Sequence, residues 1–262
     1  MGRIATLCLV ALVLGVGTLA GQESATPPTA GQAEEILNRM LEALGGEKFL
    51  NVKDITRRGR LYGFNRGELS SPGDRFVDYL KFPGKERLEM GKDGKIVYLN
   101  DNDQGWELDR QGIREMTPEQ IENFQEGNRR DYEYLLRFRA RGEKMQVYYL
   151  GREFADNRRV HVLELVDERG DSYKLLVDAR TYLPVQLYYR ERDVLSGEWV
   201  DMTEYFGKFI NVQGIQTPMQ FTRERARLRS LEVYFSEVQY NTGLSDELFT
   251  RPSLEAHWQK VK

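Results

Sequence analysis

Residues 174–240 read KLLVDARTYLPVQLYYRERDVLSGEWVDMTEYFGKFINVQGIQTPMQFTRERARLRSLEVYFSEVQY. Strand-like segments follow one another at 174–178, 185–190, 199–209, 219–225 and 231–240, each rich in Val, Leu, Tyr and Phe. The gaps carry turn chemistry: the 178–184 segment ending in Pro184, Ser196-Gly197, Gln213-Gly214 and Thr217-Pro218. A parallel crossover needs a dozen or more intervening residues, so neighbours this close in sequence pair as an antiparallel meander.

Working outward, segments 145–150, 160–167 and 173–177 lead into this meander with the same period-two pattern. Nearer the N-terminus, 55–64, 76–82, 87–90, 95–100 and 106–110 repeat it, joined by turns such as Ser71-Pro72-Gly73 and Asp93-Gly94. The Asp101-Asn102-Asp103 loop lacks the ligand spacing of a calcium loop, because Gly105 comes one residue early and no distal Glu stands at the required offset. It reads as a hairpin loop.

Two helices interrupt the strands. Ile36, Leu37, Met40, Leu41 and Leu44 form one apolar stripe over about 32–44, opposite Glu34, Glu35, Asn38, Arg39 and Glu42, and Gly45-Gly46 ends it. Thr117-Pro118-Glu119-Gln120 is a capping box that opens a second helical segment bearing Ile121, Phe124, Tyr132, Leu135 and Leu136, with an expected break at Gly127-Asn128. The chain is therefore mainly β (α+β). The simplest architecture is a large, curved antiparallel sheet, an unclosed half-barrel with helices packed on its concave face; a closed barrel and a two-sheet sandwich are the alternatives.

The ends bear on location. Met1-Gly2-Arg3 precedes an uncharged apolar run, 4–20, ending in Thr18-Leu19-Ala20, the form of a secretory signal peptide; a retained membrane anchor is the competing interpretation. Residues 21–31, with Pro27-Pro28, read as a flexible leader, 32–252 as a single domain, and 253–262 as a C-terminal tail. Cys8 is the only cysteine and lies inside the signal, so an exported chain would hold no thiol, disulfide or cysteine metal ligand. Export without disulfides suggests a bacterial cell envelope more than an animal secretory pathway. A formal net charge of −3, with basic runs such as Arg57-Arg58-Gly59-Arg60 lying among acids, leaves no nucleic-acid footprint.

Taken in order, the chain resembles a known family. The signs are the helix ending in Leu44-Gly45-Gly46, the Asp78-Tyr79-Leu80-Lys81-Phe82-Pro83-Gly84 turn, and a hairpin leading to Gly105-Trp106. They continue in the 177–184 segment ending Tyr182-Leu183-Pro184, in Tyr205-Phe206 through Gly214 to Pro218, and in Asn241 through Asp246-Glu247-Leu248-Phe249 to Pro252. This order is similar to that of the outer-membrane lipoprotein-sorting (LolA-like) superfamily of periplasmic proteins. The resemblance covers nearly the whole mature chain. It implies an unclosed β-barrel lidded by helices, with an apolar cavity that shields acyl chains, and brings no catalytic residue with it.

The residues themselves give little support to catalysis. His161, in a run of Val and Leu, reads as structural, His257 lies near the end, and no Gly-x-Ser-x-Gly elbow accompanies either. Neither has a second histidine at metal spacing, so no metal and no cofactor is expected. Arg223, Arg225, Arg227 and Arg229 share one parity and would form a ladder on one face if the strand ran through them, whereas a turn near 226–229 would destroy it.

Two functions remain. One is a non-enzymatic carrier or binder of lipid or lipoprotein acyl chains. The other is an envelope protein-interaction module, a sensor or scaffold without a cavity, and a membrane protein of the envelope is a further candidate partner. For the first, same-parity sets on three successive strands are the cavity candidates: Leu175 and Val177; Val185, Leu187 and Tyr189; Val200, Met202 and Phe206. Met40 and Leu44 from the first helix and Phe124 from the second would close over them.

Overall fold

The structure, a computed structural model, describes residues 30–142, 145–193 and 196–262. The expected signal segment 1–20 and most of the leader lie outside them. Fourteen strands form one sheet in which every pairing is antiparallel. They are β1 (Asp54–Asn65), β2 (Glu68–Leu69), β3 (Asp74–Lys81), β4 (Lys85–Met90), β5 (Ile96–Asp101), β6 (Gln104–Asp109), β7 (Gly112–Glu115), β8 (Gln146–Ala155), β9 (Arg158–Val166), β10 (Ser172–Asp178), β11 (Pro184–Arg192), β12 (Trp199–Val212), β13 (Ile215–Arg225) and β14 (Leu228–Tyr240).

The order across the sheet is β7-β6-β5-β4-β3-β1-β14-β13-β12-β11-β10-β9-β8, with β2 pairing only the end of β1. The chain therefore starts in the middle and meanders out to β7. It then crosses to the far edge at β8 and meanders back until β14 pairs β1. β7 and β8 are not paired to each other, so the sheet is an unclosed half-barrel rather than a closed barrel. The crossover is helical: α3 (Pro118–Arg130), α4 (Tyr132–Tyr134), a π-helical turn (Leu135–Arg139) and α5 (Ala140–Gly142).

Helix α1 (Ala30–Leu44) buries its whole expected stripe, with none of Ile36, Leu37, Met40, Leu41 and Leu44 more than 4% exposed. It ends at Gly45 and Gly46, both at positive φ, whose N–H groups bond Glu42 O and Leu41 O. A side chain at Gly45 would collide with the Gly214 carbonyl, at 2.7 Å from its Cβ, so glycine lets the helix end sit on the β12–β13 turn. The short α2 (Glu47–Leu50) adds Phe49 to the same core.

The helical crossover departs from expectation at one point. The capping box at Thr117 and Gln120 is present, but α3 runs through Gly127 and stops at Asp131, whose carboxylate caps the next turn by accepting from Glu133 N and Tyr134 N. The C-terminal stretch departs more. Residues 251–261 form α6 (Arg251–Val261), started by Thr250 and Pro252, instead of a free tail. With the 3₁₀ turn Asp246–Phe249, α6 buries Leu254 and Phe249 against Val97, Leu99 and Leu108 on the convex face. Helices thus pack on both faces, with the larger core on the concave one.

Candidate functional site

Helix α1, α4 and the π-helical turn fill the concave face over β8–β12, where Leu135 and Leu136 join Leu163, Leu165, Leu175 and Leu187 in one core. The sequence-derived candidates Leu175, Val177, Leu187, Tyr189, Met202, Met40 and Leu44 are all buried in this cluster, Val200 packs against it, and Phe206 is 6% exposed beside Tyr132. They are brought together, as packing under helices. Val185 is not among them. The β10–β11 register slips between Leu176 and Val177, which pair with Gln186 and Pro184, and Val185 turns to the other face beside Val160, Val162 and Leu176. Phe124 also stands apart, half-buried over β4–β6 beside Leu88, Tyr98 and Met116.

The open part of the concave face lies next door, over β1, β3, β4, β13 and β14. A groove of about 310 Å³ runs there, walled by Leu61, Phe76, Leu88, Phe221, Leu231, Val233, Phe235 and Val238, with Tyr132 on the helical side. None of the eleven candidates lines it. Phe206 comes nearest, since its ring meets both Tyr132 at 4.6 Å and Phe221 at 6.1 Å. The alternation of Leu231, Val233 and Phe235 along β14, and of Leu61 with Gly59 along β1, was available in the sequence. Which stretch the helices leave uncovered was not.

Charged groups close one end of the groove. Asp78 accepts two hydrogen bonds from Arg57, from Nε at 3.1 Å and NH2 at 2.7 Å, and Arg57 also reaches Glu133 at 3.5 Å. Arg137 donates to Glu133 at 3.2 Å and to the Phe49 carbonyl at 2.8 Å, with its guanidinium 4.3 Å from the Phe49 ring centroid. Burial, then the neighbouring Asp78 carboxylate, pushes the Glu86 carboxyl up to about 8, and burial with Glu133 lifts Asp131 to about 6. Asp78 is itself raised by burial, and its Oδ1 has no donor other than a protonated Glu86. Two raised carboxyls this close oppose each other's ionisation. Farther along, Glu204 accepts two bonds from Arg223, at 2.7 and 3.0 Å, and one from Tyr189 at 3.1 Å.

The arginine ladder is absent. β13 ends at Arg225, Ala226 and Arg227 turn the chain at positive φ, and Arg223 and Arg225 are paired with Glu204 and with Glu191 and Asp193. His161 accepts or donates one bond to the Tyr149 hydroxyl at 3.1 Å and stacks on Tyr182, with burial followed by Arg152 lowering its pKa. His257 Nε2 donates to the Gly94 carbonyl at 2.8 Å. The acidic loop forms the turn between β5 and β6, and Asp101 pairs with Lys85 at 3.2 Å. Among the described residues no cluster of His, Cys, Asp or Glu is placed to hold a metal ion.

Solved structures share this arrangement. A DUF1329 family protein from Desulfovibrio piger matches with a TM-score of 0.61 at 17% identity, over 87% of this chain and 100% of that one. A LolA superfamily protein, NE2245 from Nitrosomonas europaea, matches at 0.54 with 16% identity, over 88% and 100%. The fold is LolA-like. A domain from Vibrio parahaemolyticus, provisionally named an outer membrane lipoprotein-sorting protein domain, matches at 0.57 with 16% identity, over 87% and 100%. No family model matches the sequence, and no curated protein does. Identities this low carry the LolA-like fold and leave the function to the site.

Proposed function

We propose that the protein is a non-enzymatic periplasmic binder or carrier of lipid or lipoprotein acyl chains, exported through its 1–20 segment, and that the chain lies in the groove over β1, β3, β4, β13 and β14. The observation that carries this reading is the apolar groove itself, about 310 Å³, left open beside a fully packed half of the same face. A methylene is close in size to a water, whose share of liquid volume is roughly 30 Å³, so the groove takes about ten. At about 0.8 kcal/mol for each buried methylene, ten offer roughly 8 kcal/mol before ordering costs, enough for reversible carriage. The set from Leu175 to Phe206, with Met40 and Leu44, then backs the groove rather than touching the ligand. The lipoprotein-sorting name of the Vibrio parahaemolyticus domain is consistent with this reading.

Native mass spectrometry of the protein purified from its own envelope tests the proposal. Copurified lipid or acylated protein, removed by organic extraction, is the expected result. A bare polypeptide mass, together with no uptake of added fatty-acyl probe, would reject it in favour of an interaction module.

A further inference from the structure

One end of the half-barrel carries an unusual surface. The turn joining β1 to β2 and the turn joining β13 to β14 adjoin there, with a Cβ at Gly67 standing 3.7 Å from the Leu228 side chain. Leu69 and Leu228 are 59% and 50% exposed at these tips. On the convex flank of the same end, Arg60 lies directly opposite Arg75 across the β1–β3 pairing. Lys92 follows from the next turn, where Gly91 N–H bonds the Arg75 carbonyl. The three cations border an outward cleft of about 550 Å³ that no carboxylate lines.

Like charges placed directly opposite each other on a sheet destabilise it unless something neutralises them. Among the described residues, Arg60, Arg75 and Lys92 have no carboxylate within ion-pair distance, although most arginines of this chain do. Guanidinium pairs suit phosphate oxygens, and aliphatic tips flanked by cations suit the headgroup boundary of a bilayer better than a flat protein interface.

We infer that this end of the half-barrel docks on an anionic phospholipid bilayer, Leu69 and Leu228 entering the headgroup boundary and the Arg60–Arg75–Lys92 cleft taking lipid phosphates. Arg60 is about 20 Å of strand from the Arg66-Gly67 tip, so the contact runs along the flank and is not a single point. Leu61 and Leu231, which line the concave groove, lie toward the same end, so docking would bring the groove's mouth near the membrane. Vesicle binding itself needs no ligand in the groove, and the inference stands or falls separately from acyl carriage.

Flotation of the protein with vesicles of phosphatidylcholine plus phosphatidylglycerol, against phosphatidylcholine alone, tests it. Binding is expected only to the mixed vesicles, weakened by salt. Replacing both Arg60→Gln and Arg75→Gln should weaken it roughly thirtyfold, and Leu69→Ser with Leu228→Ser roughly tenfold. The four positions are exposed and the arginine changes relieve repulsion, so circular dichroism and the urea midpoint should not fall. Lack of preference for phosphatidylglycerol would overturn the inference, as would undiminished binding by the arginine variant. Inorganic phosphate bound at the cleft without any vesicle binding would overturn it too.

Discussion

Glu86 and Asp78 lie diagonally across the β3–β4 pairing at the groove end, both carboxyls raised by burial, and the sign of their effect on stability follows from that. A carboxyl whose folded pKa is raised favours folding fully below its unfolded value and loses that contribution as pH rises through the folded value. For Glu86 the window runs from 4.5 to about 8. Stability should therefore decline across it. In Glu86→Gln, which keeps a donor for Asp78, urea unfolding on either side of the window should show a smaller decline. Some would remain, because Asp131, lifted to about 6, titrates inside the same range. An unchanged pH dependence would show that Glu86 is not the titrating group.

Arg139 and Asp167 are the opposite case, an ion pair at 2.5 Å with side chains at most 1% exposed. Asp167 is opposed by burial, but the N–H groups of Asp171 and Arg169 and the Arg139 guanidinium outweigh that and hold its carboxyl below the usual range. Asp167→Ala should cost about 3 kcal/mol, because it removes a buried carboxylate that both Arg139 and Arg129 pair with. Glu237→Ala, which removes the exposed partner of Arg58, should cost at most about 1 kcal/mol. The sequence 137–141 alternates Arg with Phe and Ala and gives no hint that Arg139 is inside. Burial of a charge is a tertiary fact, legible only once Asp167 is seen to meet it.

At the scale of elements, local signals in the sequence suffice to fix several features. The α1 stripe and its double-glycine stop, the Thr117 capping box and the strand periodicities all appear where pattern and turn chemistry put them. Val185 was misplaced because parity assumes an unbroken register, and a bulge beside Leu176 inverts it. α6 was missed although Thr250-Arg251-Pro252 is a start signal, since Leu254 and Trp258 are thin apolar content for a helix and its partners Leu99 and Leu108 lie on distant strands. The same geometry changes what a mutation means. Leu44→Ala should cost about 2–5 kcal/mol while leaving acyl-probe affinity unchanged, as measured by urea unfolding and titration. Leu187→Glu should unfold the protein rather than empty a cavity, because it buries a charge in the filled half.

For the whole molecule, the decisive feature is the crossover from β7 to β8, which lays α3, α4 and the π-helical turn across the open side of the sheet. Antiparallel pairing between neighbours was legible from loop lengths. The union of β14 with β1, and with it the groove between the two meanders, depends on contacts more than half the length of the chain apart. That is why the sequence brought out the apolar residues of β10–β12, which α1 and α4 cover, while the uncovered stretch lies on β1, β13 and β14. On the proposed function, this stretch, and no other part of the concave face, holds an acyl chain.

Titration of a fluorescent fatty-acyl probe into the wild-type protein and into Leu231→Glu tests this most directly, because Leu231 lines the groove, is only half-buried and does not belong to the packed core beneath the helices. Saturable uptake by the wild type and its loss in Leu231→Glu, with circular dichroism unchanged, is the expected result. Equal uptake by the two proteins, or none by either, would contradict it.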